Sequence, residues 1–441
     1  PTTEIAVTME KACGGIILTA SHNPKEHNGY KVYDDTGCQL LPEAADQVVQ
    51  YVNEVEDELN IKVFSDEEAY PYMTWIGEEV DEAYYKEVMA IEVNPGMDKS
   101  DFKIVFSPQH GTSNIAVRTC LTRLGYDLVP VLAQCAPDPD FSNTKSPNPE
   151  VPASYELAIK KAKEVDADVV VITDPDGDRL GVVAKHNGEY VLMSGNQSAA
   201  VYLEYILSQM KEKGTLPDNA VMYNTIVTSD LGELVARSYG VDVEKTLTGF
   251  KFIGDKIRKY EQTHEKTFVF GYEESYGCVI KDFVRDKDAV QAVLTAAEAG
   301  NFYKKQGKDL VDVLNELYAK HGTFKETQIA LSKAGAAGAA RIKEIMDNLR
   351  KDAPQEIGGV KVVKVEDYGN STCSDGTTIQ LPKSNVLKYF LEDGSWIAVR
   401  PSGTEPKLKF YVAVKGQDES ECAGKIANIE SDINKIIDQV K

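Results

Sequence analysis

Asp168-Val169-Val170-Val171-Ile172-Thr173-Asp174-Pro175-Asp176-Gly177-Asp178-Arg179 is the stretch that decides how this chain folds. Its first half is a short unbroken apolar run, which suits a strand buried on both faces of a parallel sheet. Its second half sets three aspartates at a spacing of two, turned by a proline and a glycine. Carboxylates crowded in this way repel one another, and a hard divalent cation relieves the repulsion. An all-oxygen donor set favours Mg2+ over a transition metal. An EF-hand opens similarly, but residue 185 is lysine where that loop needs glutamate, and a strand precedes the loop instead of a helix. A solvated acidic turn is the remaining alternative.

The same alternation of apolar runs and helical patterns extends outward to about residue 330, which predicts layered α/β units. Strands are expected at 14–18, 102–106, 168–172, 219–223, 242–246 and 267–270. Helices are expected at 43–58, 76–91, 153–165, 195–213, 229–239, 251–262, 286–306 and 308–320. Pro95-Gly96 and the polar run Asp98–Asp101 read as a linker. Beyond the Ala/Gly-rich 334–340 and a helix at 341–351 the pattern changes: alternating segments at 360–366, 376–381, 386–391 and 395–399 predict an antiparallel sheet. Asp393-Gly394 marks a hairpin turn in it, and a last helix at 419–440 covers it. Three times a strand runs into a polar loop and a second short strand, around Ser21, at 173–181 and at 271–277. The expected architecture is therefore three related α/β/α mixed-sheet domains plus a C-terminal α+β domain, arranged around a central cleft. The expected boundaries are 1–97, 98–214, 215–332 and 333–441.

Composition narrows the classes of function. The 441 residues carry 48 basic and 70 acidic side chains, a net charge of −22. That opposes nucleic-acid binding, which needs a basic face to displace counterions. An anion site in so acidic a chain must be built from a few local cations. No long apolar run suggests a membrane span. The seven cysteines are scattered without a Cys-x-x-Cys pair, which supports neither a disulfide framework nor a zinc site. Free thiols and the lack of a targeting segment at Pro1-Thr2-Thr3-Glu4 predict a cytoplasmic protein. The absence of a starting methionine suggests processing or trimming.

Further motifs carry chemistry. In Gly14-Gly15-Ile16-Ile17-Leu18-Thr19-Ala20-Ser21-His22-Asn23-Pro24 an apolar strand stops and presents a serine beside a histidine, and Lys31 returns to the same neighbourhood. A serine with a base and a cation nearby is a candidate nucleophile, while a helix cap is the plainer reading. Arg400-Pro401-Ser402-Gly403-Thr404 offers a guanidinium, two hydroxyls and an open backbone, the parts of an anion cradle. Glu273, Glu274 and Ser275 lie between Gly271 and Gly277, an arrangement suited to sugar hydroxyls. Thr248-Gly249-Phe250-Lys251 reads equally as a substrate loop or as a helix start capped by Thr248. In Asp282–Asp288 the alternating charges suggest a solvated face, although Arg285 and Lys287 have the chemistry to meet a phosphate. His110-Gly111-Thr112 reads equally as a cleft-lining turn or an ordinary loop.

Taken in order, these motifs resemble the α-D-phosphohexomutase family, the phosphoglucomutases and phosphomannomutases. The family's T-A-S-H-N-P stands at Thr19–Pro24, D-x-D-G-D-R at Asp174–Arg179, G-E-x-S at 273–275 with Tyr272 inserted after Gly271, and R-x-S-G-T at Arg400–Thr404. The wording of the 248–254 and 271–277 segments is most similar to bacterial phosphoglucomutases related to phosphopentomutases. The resemblance implies interconversion of hexose 1- and 6-phosphates through a phosphoserine at Ser21 and a hexose 1,6-bisphosphate, which also primes the enzyme. It implies Mg2+ on Ser21, Asp174, Asp176 and Asp178, catalysis by Ser21, His22, Lys31 and Arg179, and His22 or Lys31 as general acid/base. Substrate contacts are implied for Gly249, Glu273, Ser275, Lys287, Arg400, Ser402, Gly403 and Thr404. A pentose-phosphate mutase and a Mg2+-dependent sugar-phosphate phosphatase are the alternatives. The partners implied are small sugar phosphates, with neither nucleic acid nor membrane, for a monomer or weak homodimer. Because relatives place the phosphoserine deeper in their first domain, the front of that domain is expected to be missing here.

Overall fold

The computed structural model describes residues 2–332, 335–402 and 407–439. It contains two compact units, 1–224 with 236–244 and 248–313, and 225–235 with 245–247 and 314–441.

The first unit opens with a two-stranded antiparallel hairpin, Gly14–Leu18 with Tyr30–Asp34, in the register Ile17 opposite Lys31 and Leu18 opposite Tyr30. The loop that joins the strands carries Ser21, and Thr19 N donates to Gly29 O across its neck at 3.0 Å. Behind the hairpin the chain builds a five-stranded sheet. Lys103–Ser107 pairs in parallel with Asp127–Pro130 and with Val169–Thr173, and Val169–Thr173 then pairs antiparallel with Leu180–His186. All five residues of Val169–Thr173 are buried, as an unbroken Val/Ile run requires. Ala158 and Ala162 of the helix Glu156–Val165 pack on one face over Val105, Val170, Ile172 and Val183. Each of these valines and isoleucines contributes roughly 1.5–3 kcal/mol by leaving water. The helix Ala289–Lys304 packs against Val169–Thr173 and Leu180–His186 and is buried on nearly every side, which its small alanines permit. A second sheet has the order Cys278–Val279, Thr267–Tyr272, Ala220–Thr225, Asp242–Thr246.

The second unit is a long antiparallel sheet in the order Thr323–Ser332, Lys407–Gly416, Trp396–Pro401, Leu387–Leu391, Val360–Asp367, Glu356–Ile357. One face is covered by Ile342, Ile345, Met346 and Leu349 of the helix Gly335–Lys351 and by Ile426, Ile429, Ile433 and Ile437 of the helix Glu419–Gln439. Both rows repeat at three- and four-residue steps, the spacing of one helical face.

Several expectations need correction. The helix expected over 43–58 ends at Asn53, and a separate 3-10 turn follows at Glu58–Asn60. The Ala/Gly stretch is helical from Gly335, in keeping with the high helix propensity of alanine. Residues 376–381 form no strand; Thr378 makes only an isolated bridge to Thr372. Two ten-residue strands, Thr323–Ser332 and Lys407–Gly416, were not anticipated, and they pair with each other along their whole length. Mixed charges interrupt the alternation of Thr323–Ser332, which lies at the edge of the sheet. Among the described residues no helix is long and apolar enough to cross a membrane.

Candidate active site

The hairpin loop and the aspartate loop meet. Ser21 adopts φ +53°, a left-handed conformation uncommon outside glycine, and its N–H is held by Thr19 Oγ1 at 2.9 Å. Its hydroxyl lies 2.9 Å from Asp174 Oδ2, 3.0 Å from Asp176 Oδ1 and 3.1 Å from His22 Nδ1. The capping reading of Ser21 gives way to this contact set. Asp174 follows the buried strand directly, and its Oδ1 accepts from Asp178 N and Arg179 N at 3.1 and 3.0 Å, folding the loop over itself. Gly177 turns that loop at φ +70°, where glycine carries no steric penalty.

Two lysines neutralise the loop. Lys31 Nζ sits 3.1 Å from Asp176 Oδ2 and 3.3 Å from Asp178 Oδ2. Lys287 Nζ sits 3.2 Å from Asp178 Oδ2 and 3.1 Å from Asp286 Oδ1. Burial pushes the Asp174 carboxyl well above the usual range, and the neighbouring Asp176 and Asp178 push it the same way. Burial would also raise Asp178, but Lys287 and Lys31 outweigh it and hold Asp178 far below the usual range. Burial alone would lower Lys31, yet Asp178 and Asp176 reverse the sign, so its ammonium is retained at neutral pH. A cavity of ≈ 300 Å³ adjoins the cluster, lined among others by Lys31, Tyr33, Asp176, Asp178, Asp286 and Lys287.

Asp174, Asp176 and Asp178 bring one oxygen each within 4.8 Å of the others, and Asp178 Oδ1 is buried without a hydrogen-bond partner. Converging carboxylates with an unsatisfied buried oxygen fit a hard cation. Arg179 lies beside them, its Nε 3.9 Å from Asp178 Oδ1, while its Nη1 donates to Glu150 Oε1 at 2.7 Å. The other candidates form a second group in this unit. Glu273 is buried and its Oε1 accepts from Gly249 N at 2.9 Å, joining two expected sugar contacts. Gly249, not Thr248, stands at the cap of the helix Phe250–Thr263. Ser275 is half-buried on the same loop as Glu273. Backbone bonds tie that loop to the aspartate loop, with Leu180 N donating to Tyr276 O at 2.9 Å. A Cβ at Gly277 would meet the Lys287 side chain, so glycine there makes room for this lysine. Thr112 also faces the aspartate loop, its N–H donating to Pro175 O at 2.9 Å.

In the second unit, Arg400 is half-buried and pairs with Lys409 across the sheet, and Ser402 N donates to Lys407 O at 2.7 Å. Gly403 and Thr404 lie outside the described residues.

Sequence reading misplaced one segment. Asp286, Lys287 and Asp288, read as a solvated face, are buried. Asp288 caps the helix Ala289–Lys304 and accepts from Tyr84 Oη at 2.8 Å. Asp286 receives Tyr33 Oη at 3.4 Å and holds Lys287, and Glu4 accepts the Arg285 and Asp286 N–H groups at 2.8 and 3.1 Å. The closeness of Lys287 to an apolar helix start was the one available signal of burial.

Family models describe all four parts of the chain: phosphoglucomutase/phosphomannomutase alpha/beta/alpha domain I at residues 1–59, domain II at 82–188, domain III at 194–321 and the C-terminal domain at 339–428. The chain belongs to the phosphoglucomutase/phosphomannomutase family. The domain I model matches residues 1–59, and that match does not bear out the expected loss of the front of the domain. Among curated members, the chain is 36% identical to the phosphoglucomutase of Staphylococcus haemolyticus, over 97% of its own length and 78% of the relative's. It is 37% identical to the phosphoglucomutase of a Staphylococcus aureus strain, over 97% and 77%. Among solved structures, the open form of parafusin, a phosphoglucomutase from Paramecium, superimposes with a TM-score of 0.70 at 21% identity, covering 99% of this chain and 80% of that one. A family protein from Burkholderia thailandensis gives 0.68 at 18% identity, covering 97% and 76%. These likenesses carry the fold, and the family membership makes the chain a phosphohexomutase.

Proposed function

We propose that this chain interconverts glucose 1-phosphate and glucose 6-phosphate, with Ser21 as the phosphoryl carrier. The observation that supports it most is the Ser21 hydroxyl held within 3.1 Å of Asp174, Asp176 and His22 at once. A phosphoryl group on Ser21 would pass to a sugar hydroxyl as the P–O bond to Ser21 breaks and the new P–O bond forms. The bisphosphate so made returns its other phosphoryl to Ser21. Asp174, Asp176 and Asp178 would hold Mg2+ beside the serine. When bound, Mg2+ supplies positive charge for the oxygens of the group in transfer.

The side chains divide the rest of the work. His22 Nδ1 faces Ser21 Oγ at 3.1 Å, and it would take the proton of the attacking sugar hydroxyl and pass a proton to Oγ as the P–O bond to Ser21 breaks. Lys31, kept charged by its two aspartates, supplies fixed positive charge rather than a base. Lys287 does the same, 3.2 Å from the same Asp178 Oδ2. Arg179 orients the aspartate loop, Glu273 with Gly249 and Ser275 bind sugar hydroxyls, and Arg400, Ser402, Gly403 and Thr404 clamp the phosphate that is not transferred. All seven cysteines are free, which supports a reducing cytoplasmic setting.

The assay compares glucose 1-phosphate, mannose 1-phosphate and ribose 1-phosphate with and without added glucose 1,6-bisphosphate. The expected result is fastest turnover of the glucose ester, dependent on the bisphosphate. Release of inorganic phosphate without priming would contradict it, as would preference for the pentose ester.

A further inference from the structure

The second unit contains a cavity of ≈ 650 Å³, and Lys388, one of its lining residues, pairs with Ala398 two residues from Arg400 on the same strand. Its walls include Phe324, Tyr368, Ile379 and Phe390, and its charged lining is Lys245, Lys364, Lys388 and Lys415 against Asp230, Glu233 and Glu366. Among the described residues, Lys388 differs from the buried Lys99 and Lys287 and from the half-buried Lys31 and Lys245. Lys31, Lys99, Lys245 and Lys287 each lie within 3.3 Å of at least one carboxylate oxygen. Lys388, only 2% exposed, has no carboxylate within 4.0 Å among the described residues. Its Nζ donates to Ile226 O at 2.7 Å and rests 3.9 Å from the Trp396 ring centroid and 5.0 Å from that of Phe390. Burial, and after it the charge of Lys245, brings its pKa down to about 7 against the opposing pull of Asp230, Glu366 and Glu233. Near pH 7 about half of such a side chain is neutral, whereas an ordinary lysine, titrating near 10.4, is neutral in roughly one molecule in a few thousand. A desolvated lysine beside another cation is the known arrangement for an activated amine. Lys415, half-buried over the Phe324 ring at 5.4 Å, also has no carboxylate within ion-pair distance among the described residues and is placed to anchor an anion.

We propose that this cavity is a covalent capture site for small aldehydes that carry a phosphate, with Lys388 as the amine and Lys415 as the phosphate anchor. The open-chain form of an aldose phosphate belongs to that class. The amine lone pair attacks the carbonyl carbon, a C–N bond forms, and the carbinolamine loses its oxygen as water with the two amine protons, leaving an imine. Nothing is oxidised or reduced.

Pyridoxal 5′-phosphate is the probe, trapped by borohydride and located by intact mass and peptide mapping on the whole protein. Near-stoichiometric label at Lys388, at least about tenfold above any exposed lysine, is expected at neutral pH. The labelling rate in the native protein should rise with a midpoint near pH 7, a readout that needs no variant. Lys388→Arg should abolish the specific label, and Lys415→Met should slow it about tenfold without changing mutase activity. Label spread over exposed lysines with Lys388 unmodified would overturn the proposal, and so would a midpoint near that of ordinary lysine. Equal rates for pyridoxal and its phosphate would remove the role given to Lys415.

Discussion

Asp174 and Asp178 are four residues apart and both buried, yet they titrate in opposite directions. Asp178 has two ammonium partners, whereas Asp174 has two carboxylate neighbours. The two amide substitutions should therefore part company. Asp178→Asn leaves Lys31 and Lys287 with a lost counter-charge and should destabilise the fold by roughly 3–5 kcal/mol. Asp174→Asn replaces a carboxyl that prefers to be neutral, and its oxygen can still take the Asp178 and Arg179 N–H groups, so the melting temperature in chelator should hardly change. Both variants should lose Mg2+-dependent activity. Calorimetry with and without Mg2+ checks the contrast, and equal destabilisation would contradict it. Lys388 gives a second pair of opposite signs. Its folded pKa is depressed from 10.5 to about 7, so the unfolded chain binds more protons between those values. Stability should therefore rise as pH is raised through that window and be lowest below pH 7. Lys388→Met, similar in volume and uncharged, should raise the melting temperature at pH 7 and flatten this dependence; a drop in stability would contradict the assignment.

At the scale of elements, function sits where strands end. Val169–Thr173 is held on both faces, and the next residue is Asp174; Gly14–Leu18 ends three residues before Ser21. The strand and its aspartate loop were readable because an unbroken Val/Ile run and a Pro/Gly-turned acidic run follow purely local rules. The hairpin was readable in the same way, since Lys31 sits opposite Ile17 at the return of the loop. Asp286-Lys287-Asp288 was not, because its burial depends on Tyr33, Glu4 and Asp178 from distant parts of the chain. Local charge alternation could only suggest solvent. The edge strand Thr323–Ser332 was missed for a related reason: its long partner, not its own composition, makes it a strand. Gly177 gives a test at this scale. Gly177→Ala places a Cβ at φ +70° and should cost about 1–2 kcal/mol of stability, with loss of Mg2+ affinity as the loop shifts. An unchanged affinity would show that the loop does not depend on this turn.

For the whole molecule, four motifs in fixed order carry the family resemblance, and the domain models match the chain in the order I to IV. Family recognition is robust because it draws on short motifs, whereas the supporting contacts around them arise from packing. The roles proposed for Ser21 and Arg400 belong to different units of the chain. Arg400→Ala should raise KM for glucose 1-phosphate by roughly 10–100-fold, the loss of a charge-assisted bidentate contact, while Mg2+ affinity stays within about twofold. Equal loss of both would show that Arg400 acts on the fold instead. The central claim is that Ser21 carries the phosphoryl group, and intact mass spectrometry after incubation with glucose 1,6-bisphosphate and Mg2+ tests it most directly. The wild-type protein should gain the mass of one phosphoryl group, mapped to the peptide containing Ser21 and discharged by glucose 1-phosphate, and Ser21→Ala should gain none. An unchanged wild-type mass, or the same gain in Ser21→Ala, would contradict it.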